Sequence, residues 1–404
     1  MNNENKQLTY LDTLKHPTVK QLTIIQFISY FGTWFSQVAI ASMLVAYGAS
    51  DLEIAYVFMM LMLPAIILAP ISGWIIDRIE FKPLMGSLLL VEISMTLLFM
   101  TVNSLDDIGW LMLFIFIRST ASSILFSAEM ALFPKILEGK MLQNTNEIHS
   151  IVWSVCFALG MAIGGVITYY FSYDTTFMID VILYSIASLL LIGLQIHLEP
   201  VKHTQSAIEM MKSGFHYLKN HKKLIHLILF HASIGLTSFD TIITILADLH
   251  YKYIIAVPLA IGWMNATRAV GLSIGPLLFS RYIKESNLHY VFIIQGVLII
   301  GWASVQHSFN YSLISMFVVG LLSTSIWSYT YYMIQKEIEI EFLGRVIAYN
   351  DMIFMLTTSV ITLSIGYASE RGIEMKYITT LLGVGFMIIS IYYWWFKRSY
   401  LDKS

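Results

Sequence analysis

Arg118, Asp240 and Arg268 each interrupt a long apolar run, at positions where a charge must be neutralised or put to use. A guanidinium amid apolar surroundings binds an anion or a carboxylate, and a buried carboxylate without a partner can exchange a proton. These three residues are therefore candidates for holding a charged cargo or for coupling its movement to protons. Alternatives exist for each. Arg118 can pair structurally with a buried acid such as Glu92, and Arg268 can bridge to the neighbouring seventh run or snorkel. Glu92 and Asp180 also read as interhelical hydrogen-bond partners, and Asp248 as a solvated helix-end residue. Trp34 and Trp327 bring flat aromatic surface suited to an amphipathic cargo. The stretch Trp327-Ser328-Tyr329-Thr330-Tyr331-Tyr332 reads equally as an interfacial belt.

A second group is Ser72-Gly73-Trp74-Ile75-Ile76-Asp77-Arg78-Ile79-Glu80-Phe81-Lys82, a charged turn between two apolar runs. Its charges belong at a membrane surface. Gly73 lets helices approach, Asp77 can face a helix N-terminus, and Arg78 can bond carbonyls at a C-terminus. The turn reads as a joint between moving helices, with Lys82, Glu129 and Arg345 as further gating candidates. For Glu129, simple solvation at a helix end is the alternative.

Other chemistry finds little support. The eleven histidines form no metal pattern, although His231 lies deep enough to be a protonatable site; the single cysteine, Cys156, rules out an internal disulfide. No Gly-Lys-Ser/Thr phosphate loop and no nucleophile–base arrangement occur, so no metal, cofactor or enzymatic activity is expected.

The elements that must position these residues follow from composition. Of 404 residues, 57% are hydrophobic and 12% charged, with a mean hydropathy of +0.70. That is about half the charged fraction of a soluble domain. Apolar runs long enough to cross a bilayer fall near 21–47, 53–75, 83–103, 109–130, 147–171, 174–197, 224–247, 255–279, 289–307, 311–334, 346–369 and 375–396. With the termini on one side, nineteen of the 24 Lys and Arg residues share that side, so both termini are expected in the cytoplasm. The polar residues before the first run do not read as a cleavable signal.

The predicted fold is all-α and polytopic, twelve transmembrane helices in two pseudo-symmetric six-helix bundles with a site between them. Residues 1–20 form a cytoplasmic segment, 21–197 the first bundle, 198–223 a linker, 224–396 the second bundle and 397–404 a tail. In the linker Ile208, Met211, Phe215 and Leu218 recur at helical spacing, predicting an amphipathic helix on the cytoplasmic face.

The charged turn resembles the loop between helices 2 and 3 of the major facilitator superfamily, Gly-x-Leu-x-Asp-Arg-x-Gly-Arg-Arg/Lys, with Ile75, Glu80 and Phe81 as departures. Further stretches resemble the bacterial enterobactin/siderophore-exporter-like branch. These are Ser29 to Trp34 with Val38-Ala39, Leu63-Pro64-Ala65, Ala69-Pro70, Ala128 to Pro134, Asn146, Ser213 to Lys219, Gln335 and Gly344-Arg345-Val346. Thr33 stands where that branch often has aspartate, and Glu129 where it has arginine. Gly160-Met161-Ala162-Ile163-Gly164-Gly165 keeps the small residues of the exporters' helix 5 motif without its proline.

The resemblance implies the major facilitator fold, alternating access and a multi-pass place in the bacterial cytoplasmic membrane. It also implies a role for Arg118 like that of the helix 4 arginine of proton-coupled drug exporters, with Ser122 replacing the usual glycine. The expected function is proton-coupled export of a small organic molecule, siderophore-like or an acidic metabolite, bound between Trp34, Arg118, Asp240, Arg268 and Trp327. A multidrug exporter is the close alternative and a lipid flippase or scramblase one of another class. The expected partners are a small-molecule substrate, protons and membrane lipid, not nucleic acid, and the expected state is a monomer.

Overall fold

Among the described residues, eleven segments are helical, long and apolar enough to cross a membrane. The computed structural model describes residues 9–196 and 207–401, and within them all side chains except those at 69–71, 73, 74, 77, 207 and 340. The first half holds α1 (Pro17–Ala46), α2 (Asp51–Arg78), α3 (Phe81–Phe99), α4 (Ile108–Ile136), α5 (Gly139–Tyr170) and α6 (Tyr173–Ile192). The second holds α7 (Lys222–Leu249), α8 (Val257–Phe279), α9 (Leu288–Val305), α10 (Phe309–Glu337), α11 (Leu343–Glu370) and α12 (Met375–Phe396). The twelfth crossing, α8, falls short of the others in apolarity because it carries Asn265 and Arg268, both buried.

Local signals set the helix starts. Pro17 opens α1 where a missing N–H costs nothing. Ser50 and Glu53 form a reciprocal capping box at α2, and Ser172 caps α6 through the Thr175 amide. Along the helices large apolar side chains such as Leu90, Leu189, Ile192, Leu381 and Ile391 stay exposed. A water-facing surface does not take that form; a lipid-facing one does.

The two halves repeat one pairing scheme. In the first, α1 packs on α5 and α6, α2 on α4, and α3 on α4 and α6. In the second, α7 packs on α11 and α12, α8 on α10, and α9 on α10 and α12. Shifting each number by six maps one list onto the other, so the pseudo-symmetry expected from a six-plus-six division is present in the packing.

Across the halves the main contacts are α5 with α8 and α2 with α11. Both lie toward the face away from the chain termini. A Cβ on Gly262 would stand 2.6 Å from the Met161 carbonyl oxygen, and one on Gly165 would stand 2.5 Å from that of Pro258. Gly366 meets Ala55 and the Asp51 carbonyl in the same way, at 2.4 and 2.8 Å, while Ser369 donates to Asp51 Oδ2 at 2.5 Å. Small residues thus bring backbones together at this end.

Two expectations need correction. The seventh span is not one continuous helix: Lys222–Ala232 gives way to a 3-10 stretch, Ser233–Thr237, before Phe239–Leu249 resumes. Gly235 sits at the break, where a Cβ would lie 2.9 Å from the Thr358 amide, and Ser238 and Thr362 hydroxyls bond across it at 2.6 Å. The linker helix exists as Ala207–Asn220, but only part of its expected apolar face, Leu218 and the half-buried Met211, docks on the protein. Tyr217 and Leu218 are buried, whereas Ile208 and Phe215 are 65% and 61% exposed. Gly214 explains the choice, since it lets Arg345 and Tyr349 come within 3.0 and 3.2 Å of a would-be Cβ. Tyr217 stacks between Phe342 and His221, and the Tyr349 hydroxyl donates to the Met211 carbonyl.

Gly262→Val should force α5 and α8 apart at the end away from the termini, costing that arrangement about 1–3 kcal/mol. Spin labels at the outer ends of the two helices would report longer distances; an unchanged distribution would contradict the packing argument.

Candidate functional site

Arg268 lies midway along α8, and the break in α7 sets Asp240 in the first turn of a helical segment beside it. An N-terminal turn favours an acidic side chain. The Arg268 Nη2 donates to Asp240 Oδ1 and Oδ2 at 3.1 and 3.2 Å. Its Nε is buried without a hydrogen-bond partner among the described residues. The guanidinium carbon stands 5.4 Å from the ring centre of Phe157 on α5, within cation–π range. Phe157 in turn packs on Trp34 at 4.4 Å and on Trp153 at 5.6 Å. One ion pair from the second half therefore abuts an aromatic cluster from the first, at mid-depth and across the interface of the halves.

Trp327 sits in a neighbouring cluster on α10. It meets His231 at 4.4 Å, Phe354 at 4.7 Å and Tyr331 at 6.3 Å. His231 is fully buried beside the α7 break, bonded to Thr330 through Nδ1 at 2.9 Å, with Nε2 unpartnered.

Arg118 is elsewhere. It is buried between α3, α4 and α6, where Nε donates to Glu92 Oε2 at 2.8 Å and Nη2 to Asp180 Oδ2 at 2.7 Å. The Tyr184 hydroxyl accepts at 3.2 Å, and Ser122 and Ser36 complete the shell of the two carboxylates. Of the five residues expected to surround a cargo, the structure joins Trp34, Asp240 and Arg268 through Phe157. It sets Trp327 in the adjoining cluster and places Arg118 in a separate network inside the first half.

The gating candidates also separate. The surroundings of Gly73 and the side chain of Asp77 lie outside what is described, and Arg78 is exposed at the end of α2. Lys82 donates to the Ile192 carbonyl at 2.8 Å, closing the C-terminal turn of α6. Arg345 stacks on Phe342 at 5.3 Å and supports the linker helix. Glu129 is fully buried rather than solvated at a helix end: its Oε2 accepts from Gln26 at 3.2 Å and Tyr30 at 2.5 Å on α1. Its helix runs on to Ile136, past the expected end near 130, which carries Glu129 inward.

Phe157 and Trp153 escaped the sequence reading. Their signal was His149, Trp153 and Phe157 at four-residue spacing, one aromatic face of α5 next to the glycines that press it on α1. Gly160 and Gly164 would place a Cβ 2.8 Å from Trp34 Cβ and 2.6 Å from the Phe35 carbonyl oxygen.

Residues 22–362 match the sequence pattern of the Major Facilitator Superfamily. The chain belongs to that superfamily. It is 26% identical over 201 residues to an uncharacterized MFS-type transporter, YfiS, of Bacillus subtilis (strain 168), a match covering 48% of this chain and 47% of the relative. It is 22% identical over 202 residues to the staphyloferrin A transporter of Staphylococcus aureus (strain NCTC 8325 / PS 47), covering 48% and 50%. The matched stretch thus spans about half the length of these relatives. Among solved structures the chain resembles the nucleoside transporter NupG, with a TM-score of 0.74 at 14% identity over 94% of this chain and 99% of that one. It also resembles a bacterial homologue of the iron transporter ferroportin in an inward-facing state, with a TM-score of 0.73 at 15% identity over 94% and 98%. At such identities these likenesses establish the fold. The protein is a transporter of this superfamily and not an enzyme.

Arg118→Ala would strand two buried carboxylates and should cost about 3–5 kcal/mol of stability. Lys82→Ala removes one exposed helix-end contact and should cost about 0.3–1 kcal/mol. Thermal unfolding of the purified variants checks the contrast.

Proposed function

We propose that this superfamily member exports a small organic molecule carrying an anionic group, by alternating access driven by inward proton flow. The single observation that carries the cargo class is the half-satisfied Arg268. It holds Asp240 through one nitrogen, keeps a buried Nε–H without a partner, and faces Phe157 on the opposite half. An anionic group can take that donor, and the rings of Trp34, Trp153 and Phe157 offer flat surface to the remainder of the cargo. A site split between the halves lets cargo bias their relative position, which alternating access requires. The state described would present it to the face bearing the termini, the cytoplasmic side by the Lys and Arg bias.

The likeness to a staphyloferrin A transporter supports a siderophore-like cargo. By this reading the membrane is the bacterial cytoplasmic one, the chain works as a monomer because each copy holds both halves, and 21–197 and 224–396 are its two bundles.

A multidrug exporter is the second reading. What favours it is that both intramembrane arginines have carboxylate partners, Arg118 with Glu92 and Asp180 and Arg268 with Asp240. If neither is released, the site is an aromatic cleft of no net charge.

Dissipation of a proton gradient in everted membrane vesicles separates the two. Siderophores, acidic metabolites and cationic drugs are added in turn to vesicles holding the protein or its Arg268→Gln variant. A response to one anionic class that is lost with Arg268→Gln is expected. Responses to several cationic drugs would favour the second reading, and silence across the panel would overturn both in favour of lipid or uncoupled transport.

A further inference from the structure

The charges around Arg118 do not balance. Glu92, Asp180 and Arg118 are 1%, 0% and 5% exposed, and together they bring two carboxylates to one guanidinium. The elements packed around them are α1, α3, α4 and α6, and the side chains facing the cluster are Thr33 and Ser36, Phe99, Ser122, and Tyr184. None of these supplies a second positive charge. Fully ionised, the cluster would carry a net negative charge inside the membrane, where an uncompensated charge is costly.

The hydrogen bonds show where the imbalance lies. Glu92 is satisfied at both oxygens, Oε2 by Arg118 and Oε1 by Ser122. Asp180 Oδ2 accepts from both Arg118 and Ser36. Asp180 Oδ1 has no hydrogen-bond partner among the described residues and is fully buried. It rests against the backbone of Gly32, where a Cβ would come within 2.1 Å of it. A bare oxygen on a charged carboxylate in such a place is among the least favourable arrangements a protein can hold; a neutral acid group removes most of that penalty.

We infer that the Glu92–Asp180 pair carries one proton in this state, associated with Asp180 Oδ1, and that this pair is the proton-carrying site of the transporter. The proton belongs to the pair, since both acids share Arg118. Arg118 acts as the fixed counter-charge that holds the deprotonated pair at a single excess negative charge. The site touches α1 through Ser36, Thr33 and Gly32, while Trp34 and Phe35 of the same turns pack on Phe157, Gly160 and Gly164 of α5. Gain or loss of the proton can therefore shift α1 against the aromatic side of the cargo site. The coupling part of this inference rests on the proton-driven transport proposed above.

Infrared spectroscopy of the purified full-length protein in lipid, titrated with acid and base, reads the proton without any cargo. The carbonyl stretch of a protonated carboxyl group is expected at neutral pH, reduced in Asp180→Asn and in Glu92→Gln and unaffected by Asp240→Asn. Glu129 is a further buried carboxyl, bonded to Gln26 and Tyr30, and Glu129→Gln separates any band it contributes from that of the pair. A band absent in the unmodified protein, or one that neither Asp180→Asn nor Glu92→Gln reduces, overturns the inference. Everted vesicles test the coupling: Asp180→Asn should lose the proton response while still exchanging cargo without a gradient. If the band is lost but the proton response persists, the pair is a static buried proton and the coupling role falls, with the transporter reading intact. If the unmodified protein moves cargo without any proton response, the coupling reading itself fails. Gly32→Ala, which crowds Oδ1 but keeps both acids, should shift the titration of the band and guards against misfolding of the charge variants.

Discussion

A charge surrounded by hydrocarbon must find a counter-charge and hydrogen bonds, and this requirement organises the interior of the protein. Arg118 is held by acids from two other helices of its own half, so it ties α3, α4 and α6 into one body. Arg268 is held by one acid from an adjacent helix and leans toward the opposite half through Phe157. The two arginines look alike in sequence. The number of acids within reach makes one an anchor of a bundle and leaves the other with an Nε–H that has no partner among the described residues.

Close backbone approach supplies the complementary constraint. In α5, Gly160 and Gly164 press against α1, and Gly165, one residue on, presses against α8. One helix thus packs as extensively on the opposite half, through α8, as on its own half, through α1. Beside those glycines, Phe157 and Met161 of α5 and Ile261 and Met264 of α8 are buried in one apolar cluster, so small and large side chains share the contact between the halves. The broken α7 divides its packing in turn, with Lys222–Ala232 against α11 and the segment carrying Asp240 beside α8.

Much of this was legible in the chain. Long apolar runs and the one-sided Lys and Arg distribution gave the helix number and the six-plus-six division, because bilayer thickness leaves few alternatives. Asp240 and Arg268 stood out for the same reason. What could not be read was pairing. Arg118 and Arg268 have similar settings in sequence, and only three-dimensional packing shows that Glu92 and Asp180 converge on the former. Glu129 falls near an expected helix end, where a gating contact and simple solvation read equally; the helix continues, and Tyr30 and Gln26 reach it from a segment about a hundred positions away. The docking of the linker helix was legible only in part, because Gly214 contributes nothing to a hydrophobic pattern, yet decides where Arg345 and Tyr349 can sit.

The central claim is that Arg268 is shared between Asp240 and the cargo. Tryptophan fluorescence, with Trp34 and Trp153 flanking Phe157, can follow binding of a carboxylate-bearing siderophore to the purified protein and to its Arg268→Gln and Asp240→Asn variants. The account predicts that Arg268→Gln weakens binding at least about tenfold, the loss of one charge-assisted contact. Asp240→Asn, which removes the competing carboxylate, should leave binding unchanged or tighten it. Binding that survives Arg268→Gln, or that is lost with Asp240→Asn alone, would contradict it.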